Sequence, residues 1–387
     1  MPQCKAPTAT TAMAAEHPGP YDRLPAVREY TAGELEVWRD GRRGIRFGVH
    51  PQSQPVLNTP DRRVTAVFSR GEVRSVRATS GSRCWVHSER AYAVGWAAVD
   101  EDTVVTLTHR VVRLDRRGNL VWAHAPYPEQ GEWIYTAPTV SGSRVFYGDR
   151  RGYLNCLDAE TGKPAWSVLT SRARNNDVNA TAAVWEDRVV VATNSRKLLC
   201  YEQATGTRIW VRRLDNSYIW PLVIRNGRVW ANTYTSLCEA APGTGEIIQR
   251  LHRPGHGITS FEVCGDTLIL VLRPSTGQFS PTGEPAHLIG IRHGEEVYRR
   301  EYAPHVAPDL TVVPGTGWVY EFGHLGIGII DPRSGQRLAS IRGFGTSPHG
   351  HPDNLTTAPA VAGGTIYVAT CDGAIWALRH PDVGAAA

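Results

Sequence analysis

The sequence predicts an all-β protein, an eight-bladed β-propeller of four-stranded antiparallel blades. Three observations predict it: a repeat with the period of a blade, short apolar runs broken by turn signals inside each repeat, and an incomplete last repeat whose missing piece lies near the N-terminus. A chain of 387 residues is longer than one hydrophobic core usually serves, so its core must be built unit by unit. The clearest unit, 136–166, reads TAPTVSGSRVFYGDRRGYLNCLDAETGKPAW, in which Gly, Asn and Asp punctuate the apolar runs of four strands. The next copy, 180–210, reads ATAAVWEDRVVVATNSRKLLCYEQATGTRIW and keeps Thr205, Gly206 and Trp210 where the first has Thr161, Gly162 and Trp166.

Turn glycines recur at Gly41, Gly81, Gly118, Gly162, Gly206, Gly245, Gly294 and Gly335, at spacings of about 37 to 49 residues, which is a blade period. Eight turns imply eight blades, with a seven-bladed ring as the alternative. Glycine after Thr or Ser supplies a positive φ for a short hairpin, and Asp158 or Asp331 before it can bond its own backbone. Trp85, Trp122, Trp166 and Trp210 follow four residues later on the outermost strand, where a large ring packs against the neighbouring blade. The segment ending at His380 has three strands and then stops. Glu34–Phe47, ELEVWRDGRRGIRF, carries the missing turn and outer strand, so both chain ends are expected to share one blade and close the ring. Residues 29–387 then form a single domain, and residues 1–28, rich in Pro, Ala and Thr, are expected to be disordered outside it.

Composition narrows the function classes. The net charge of +5 is spread along the chain and its basic residues are nearly all arginine, so no nucleic-acid partner is expected. No apolar stretch is long enough for a spanning helix, and no membrane partner is expected. An N-terminus without a long apolar run and seven cysteines without a CxxC pair predict a cytoplasmic protein with reduced thiols. Cys156 and Cys200 occupy the strand position that Ala377 fills in another copy, which makes them small buried residues and not nucleophiles. No GxSxG elbow, P-loop or dinucleotide fingerprint is present.

Val145–Trp166, VFYGDRRGYLNCLDAETGKPAW, resembles the repeat of the pyrroloquinoline-quinone-type (PQQ-like) propeller superfamily. That superfamily includes quinoprotein alcohol dehydrogenases, the propeller lipoprotein of outer-membrane protein assembly and stand-alone bacterial propellers. The resemblance covers nearly the whole chain and is strongest in the repeats beginning at Thr136, Ala180 and Thr357. It implies a fold and leaves activity open. PQQ is not the expected cofactor, because the dehydrogenases' adjacent-cysteine pair is absent and their calcium-ligand pattern cannot be matched to positions here.

Propeller topology sorts loops by face: connections between second and third strands lie with the inter-blade loops, opposite the glycine turns. Asp149–Gly152, Asn194–Lys197, Asn232–Ser236, Gly323–Leu325 and Cys371–Gly373 are assigned to this loop face, where propellers usually carry function. Consecutive blades supply His252, His256, His305, His324, His349 and His351 to it. His256, His305, His324, His349 and His351 are candidates for acid/base catalysis, and His256, His305, His324 and His351 for holding a transition metal. The structural reading is that these loops are the longest and gather polar residues of every kind. Asp149, Arg150, Asn175, Asn194, Asn232 and Tyr234 are ligand-binding candidates across the funnel. The long connection Arg273–His287 in the sixth blade could act as a lid. Two functions follow as expectations: a module binding a protein or small-molecule ligand on the His-rich face, or a metal-assisted or acid/base tailoring enzyme at the same face.

Overall fold

A computed structural model describes residues 28–40, 56–58, 62–68, 70–127, 131, 134–173, 176–216, 222–275, 284–303, 306–313, 316–323, 326–344, 355, 358–370 and 373–383. Eight antiparallel four-stranded blades follow one another along the chain, one of them extended by a fifth strand. Blade 1 comprises Val56–Asn58, Arg63–Phe68, Glu72–Arg77 and Arg83–Ser88; blade 2 comprises Ala93–Val99, Asp102–Leu107, Val111–Leu114 and Leu120–His124. Blade 3 holds Thr139–Ser141, Arg144–Gly148, Tyr153–Asp158 and Pro164–Leu169; blade 4 holds Ala183–Trp185, Arg188–Thr193, Lys197–Glu202 and Arg208–Arg213. Blade 5 is Leu222–Arg225, Arg228–Asn232, Ser236–Ala240 and Ile247–His252; blade 6 is His256–Cys264, Thr267–Pro274, His287–Arg292 and Glu295–Glu301. Blade 7 contains Asp309–Val312, Val319–Gly323, Gly326–Ile330 and Arg337–Arg342. First strands contact one another from blade 8 through blade 5 and again between blades 6 and 7, which places them toward the centre of the ring.

Blade 8 closes the ring with both chain ends, as expected. Ala360–Ala362, Thr365–Ala369 and Ile375–Arg379 come from the C-terminal part, and Glu36–Asp40 adds as the outermost strand, with Trp38 opposite Ala377. One expectation needs correcting: Gly41 follows this outermost strand in sequence, whereas the other seven glycines precede theirs. It lies outside the described residues, and the outermost strand of blade 8, Glu36–Asp40, pairs with Ile375–Arg379 from the other part of the sequence. The count of eight survives because blade 8 is split between the termini.

The repeat glycines and tryptophans form one device. Trp38, Trp85, Trp122, Trp166 and Trp210 each lie flat on the turn glycine of the next blade, at Gly81, Gly118, Gly162, Gly206 and Gly245, where a Cβ would come within 2.5–2.8 Å of the ring. Each indole N–H donates to a carbonyl of that blade, of Ala78, Arg116, Ala159, Gln203 and Pro242, at 2.8–3.0 Å. Positive φ at these glycines makes the turn, and the absent side chain makes room for the indole.

Blades 5 to 8 are joined differently. Among the described residues no ring covers Gly294. Tyr298 stands in for tryptophan on Gly335, and beside it Glu321 is buried between Arg300 (2.6 Å), Tyr302 (2.8 Å) and Arg337. Against burial that would raise it, the two guanidinium groups hold the Glu321 carboxyl below its ordinary range. The described part of the chain begins with a fifth strand, Arg28–Thr31, parallel to Arg337–Arg342 of blade 7, in which Arg28 is opposite Ala339. One helical turn, Ala32–Leu35, then crosses to blade 8 under a Thr31/Glu34 capping box, burying Ala32 and Leu35 against Phe344, Ile341 and Trp376. At the ring's closing seam the fully buried Arg74 reaches from blade 1 to Asp40 at 3.2 Å and to the Gly373 carbonyl at 2.9 Å, while Glu72 holds its other edge.

Candidate functional site

Among the described residues, the second-to-third connections and the inter-blade loops lie at the same end of the antiparallel blades. Several candidate ligand residues on it turn inward. Asp149 is fully buried: its Oδ1 accepts N–H groups of Arg151 and Tyr153 at 2.9 and 3.0 Å, and its Oδ2 accepts Asn155 Nδ2 and the Tyr127 hydroxyl at 2.9 and 2.8 Å. Four donors occupy one carboxylate, and its work is to hold the turn. Asn232 is also fully buried, donating to the Ile258 carbonyl at 3.0 Å and accepting the Tyr234 N–H at 2.8 Å. Tyr234, buried at φ +68°, lays its ring on Gly257, and its carbonyl accepts the Ile258 N–H. These two residues pin blade 5 to blade 6. Arg150 stays exposed, stacked on Tyr135 at 4.8 Å, and Asn194 accepts from Asn179 at 3.0 Å. Asn175, His305, His324, His349 and His351 lie outside the described residues.

His256 opens the innermost strand of blade 6 and meets His287, which is not among the sequence candidates. The His256 and His287 rings sit edge to face with centroids 6.3 Å apart. His256 Nδ1 is 3.0 Å from the Pro254 carbonyl, which can only accept, so in the neutral ring Nδ1 carries the proton and Nε2 keeps its lone pair. His287 places Nε2 3.7 Å from Glu301, and its Nδ1 is buried with no hydrogen-bond partner among the described residues. Burial first, then Arg299 and His256, push the His287 imidazole below its ordinary range, against Glu301 and Glu296. Arg253 and Arg299 bracket Glu296 at 3.8 and 2.7 Å. The signal for His287 was its place as the first residue after the long connection, where pairing through Leu272 and Pro274 of the intervening strand brings it near His256. One blade on, Asp309 opens the innermost strand of blade 7 at the same end, and burial pushes its carboxyl up to about 6.

Two imidazoles and a carboxylate are donor types that suit a first-row transition metal. Among the described residues, however, no three His, Cys, Asp or Glu side chains are placed to hold one. The arrangement offers two imidazoles among charges of both signs. Cys156, Cys200 and Cys238 are buried, and burial pushes their thiols up to about 12, 12 and 11, which removes them as nucleophiles. No helix of the described residues is long and apolar enough to cross a membrane.

Fold and repeats together define an eight-bladed propeller of the PQQ-like repeat class. The family model described as outer membrane protein assembly factor BamB matches residues 69–185 and 150–267, just over half of the chain, and the chain belongs to that family. BamB of Moranella endobia (strain PCIT) is 28% identical over 110 residues, 27% of this chain and 28% of that protein. The dehydrogenase subunit of a quinone alcohol dehydrogenase from Komagataeibacter europaeus is 26% identical over 192 residues, 45% of this chain and 23% of that protein. The matches span about a quarter of the length of these relatives. Among solved structures, BamB from Moraxella catarrhalis superposes with a TM-score of 0.54 at 15% identity, over 86% of this chain and 84% of that one. Quinohemoprotein alcohol dehydrogenase ADHIIG from Pseudomonas putida HK5 superposes with a TM-score of 0.66 at 12% identity, over 89% and 76%. At these identities the likeness concerns the fold alone.

Proposed function

We propose that this propeller is a non-catalytic module that binds a protein or small-molecule ligand on its loop face, centred on blade 6. The observation that carries the reading is the His256–His287 pair, a partly exposed patch with a free ring nitrogen amid Arg253, Glu296, Arg299 and Glu301. Asp149 on blade 3, and Asn232 and Tyr234 on blade 5, the neighbour of blade 6, engage their polar atoms in the fold. Relatives that carry the name of an assembly factor support a binding role, while relatives named as quinone alcohol dehydrogenases stand beside them. A cytoplasmic location is part of the proposal and is supported by five free cysteines among the described residues. PQQ is not carried over: the seven cysteines include no adjacent pair, and Asp149, the loop-face carboxylate among the ligand candidates, is internally bonded.

The test is photocrosslinking in cells with p-benzoylphenylalanine at position 253 on the loop face and, separately, at position 244 on the turn face. A discrete adduct from position 253 alone, weakened by His256→Ala with His287→Ala, is the expected result. Adducts of equal intensity from both faces, or none from position 253, would overturn it. A second reading, a metal-assisted or acid/base enzyme, draws on the two donor imidazoles. Stoichiometric metal in the purified protein, lost in the same double variant, would replace the first reading with the second.

A further inference from the structure

Every blade ends on an outermost strand whose free side can accept another strand, and natural sheets blunt such edges with charge, proline or a covering segment. Blade 7 uses a cover: Arg28–Thr31 adds to Arg337–Arg342 in parallel. Five other edges use charge, with the sequences EVWRD in blade 8, RCWVHS in blade 1, RIWVRR in blade 4, IIQRLH in blade 5 and EEVYRRE in blade 6. Only PAWSVL of blade 3 and LVWAH of blade 2 contain no Asp, Glu, Lys or Arg. Pro164 opens the first of these. The second, Leu120–His124, has no such guard among the described residues, and Leu120 and Val121 are each 49% exposed. Burial holds the His124 imidazole below its ordinary range, so this strand is uncharged at neutral pH.

Its backbone is poised for pairing. Asp115 N–H bonds the Asn119 carbonyl at 2.8 Å, and the register then slips by one residue between Leu120 and Trp122. Alternation from there sets Trp122 and His124 in bonded pairs with Arg113 and Val111 and leaves the N–H and C=O of Ala123 pointing to the free edge.

We propose that this edge pairs with the same edge of a second copy, two Leu120–His124 strands meeting antiparallel about a twofold axis to join two blades into one continuous sheet. Symmetry selects the partner. A twofold antiparallel pair sets a strand against itself, so any charge it carries comes up against its like, and RIWVRR would crowd arginine on arginine. A foreign strand could answer charge with opposite charge and would not require neutrality. Blade 7 shows that an outer edge of this ring takes a fifth strand.

Sedimentation velocity of the full chain from about 1 µM to about 200 µM tests this. A monomer–dimer equilibrium is expected. Val121→Lys, and separately Ala123→Pro, which removes an outward N–H without breaking a ladder bond, should each weaken it about tenfold or more. Leu169→Lys and Ile209→Lys on neighbouring edges should leave it unchanged. Urea unfolding of each variant checks that the blade is intact, and if Ala123→Pro unfolds, Val121→Lys decides alone. Monomer at every concentration, or a dimer that Val121→Lys spares, would overturn the proposal.

Discussion

The arc from blade 8 through blade 5 and the arc from blade 5 back to blade 8 solve one problem in two ways. In the first, five seams repeat a single contact, an indole on a glycine turn with its N–H on a carbonyl. In the second, each seam is individual: Asn232 and Tyr234 between blades 5 and 6, the Glu321 network between 6 and 7, and the N-terminal clasp between 7 and 8. A contact made by repetition can be read from a period. A contact made once must be seen. The proposed recognition patch lies in the second arc, where the repeat has been relaxed.

The largest effect should come from removing one repeated contact. Trp210→Ala should cost about 3–5 kcal/mol in urea unfolding, through the lost ring and the void left over Gly245. Gln249→Ala, at the equivalent position of blade 5, should cost less than about 1 kcal/mol because the exposed side chain covers no turn. Equal losses would erase the distinction between the arcs. Next, Glu321→Ala should cost about 3–4 kcal/mol by leaving Arg300 and Arg337 buried without their counter-charge. Because its folded pKa lies below the unfolded value, Glu321 stabilises at neutral pH and loses that contribution as pH falls through the folded pKa. Stability curves of wild type and Glu321→Gln should therefore converge in acid.

Asp309 should behave in the opposite sense. Its carboxyl, raised to about 6, is ionised at a penalty in the folded state at pH 7 and above. That penalty fades as pH falls through about 6 toward the unfolded value near 4. Asp309→Asn should stabilise at pH 8 by up to about 2–3 kcal/mol and have no effect below about pH 4, measured as unfolding free energy against pH. The smallest effect is at the clasp, where Thr31→Ala removes the cap of Ala32–Leu35 and should cost about 1 kcal/mol in the same assay.

The ring was legible in the sequence because its grammar is local: Gly162 and Trp166, Gly206 and Trp210, and a last repeat lacking both. Even the closing strand around Trp38 could be found, since its absence elsewhere announced it. The fifth strand could not, because Arg28–Thr31 carries no repeat signal and pairs with residues more than three hundred positions away. The loop-face residues divide for a physical reason. A polar side chain in a loop can bond inward or outward with the same sequence, and Asp149 and Asn232 bond inward. His287 escaped notice because its relation to His256 runs through strand register across a long connection, which no spacing along the chain encodes.

Native-state amide hydrogen exchange, resolved by blade, tests the division between the arcs most directly, because it reads the free energy of local opening without perturbing a residue. The predicted result is that 28–35 and the blade 7–8 seam open first, while the ladder-bonded amides in the outer strands of blades 1 to 4 exchange only on global unfolding. Uniform protection around the ring, or earliest opening at a tryptophan-covered turn, would contradict it.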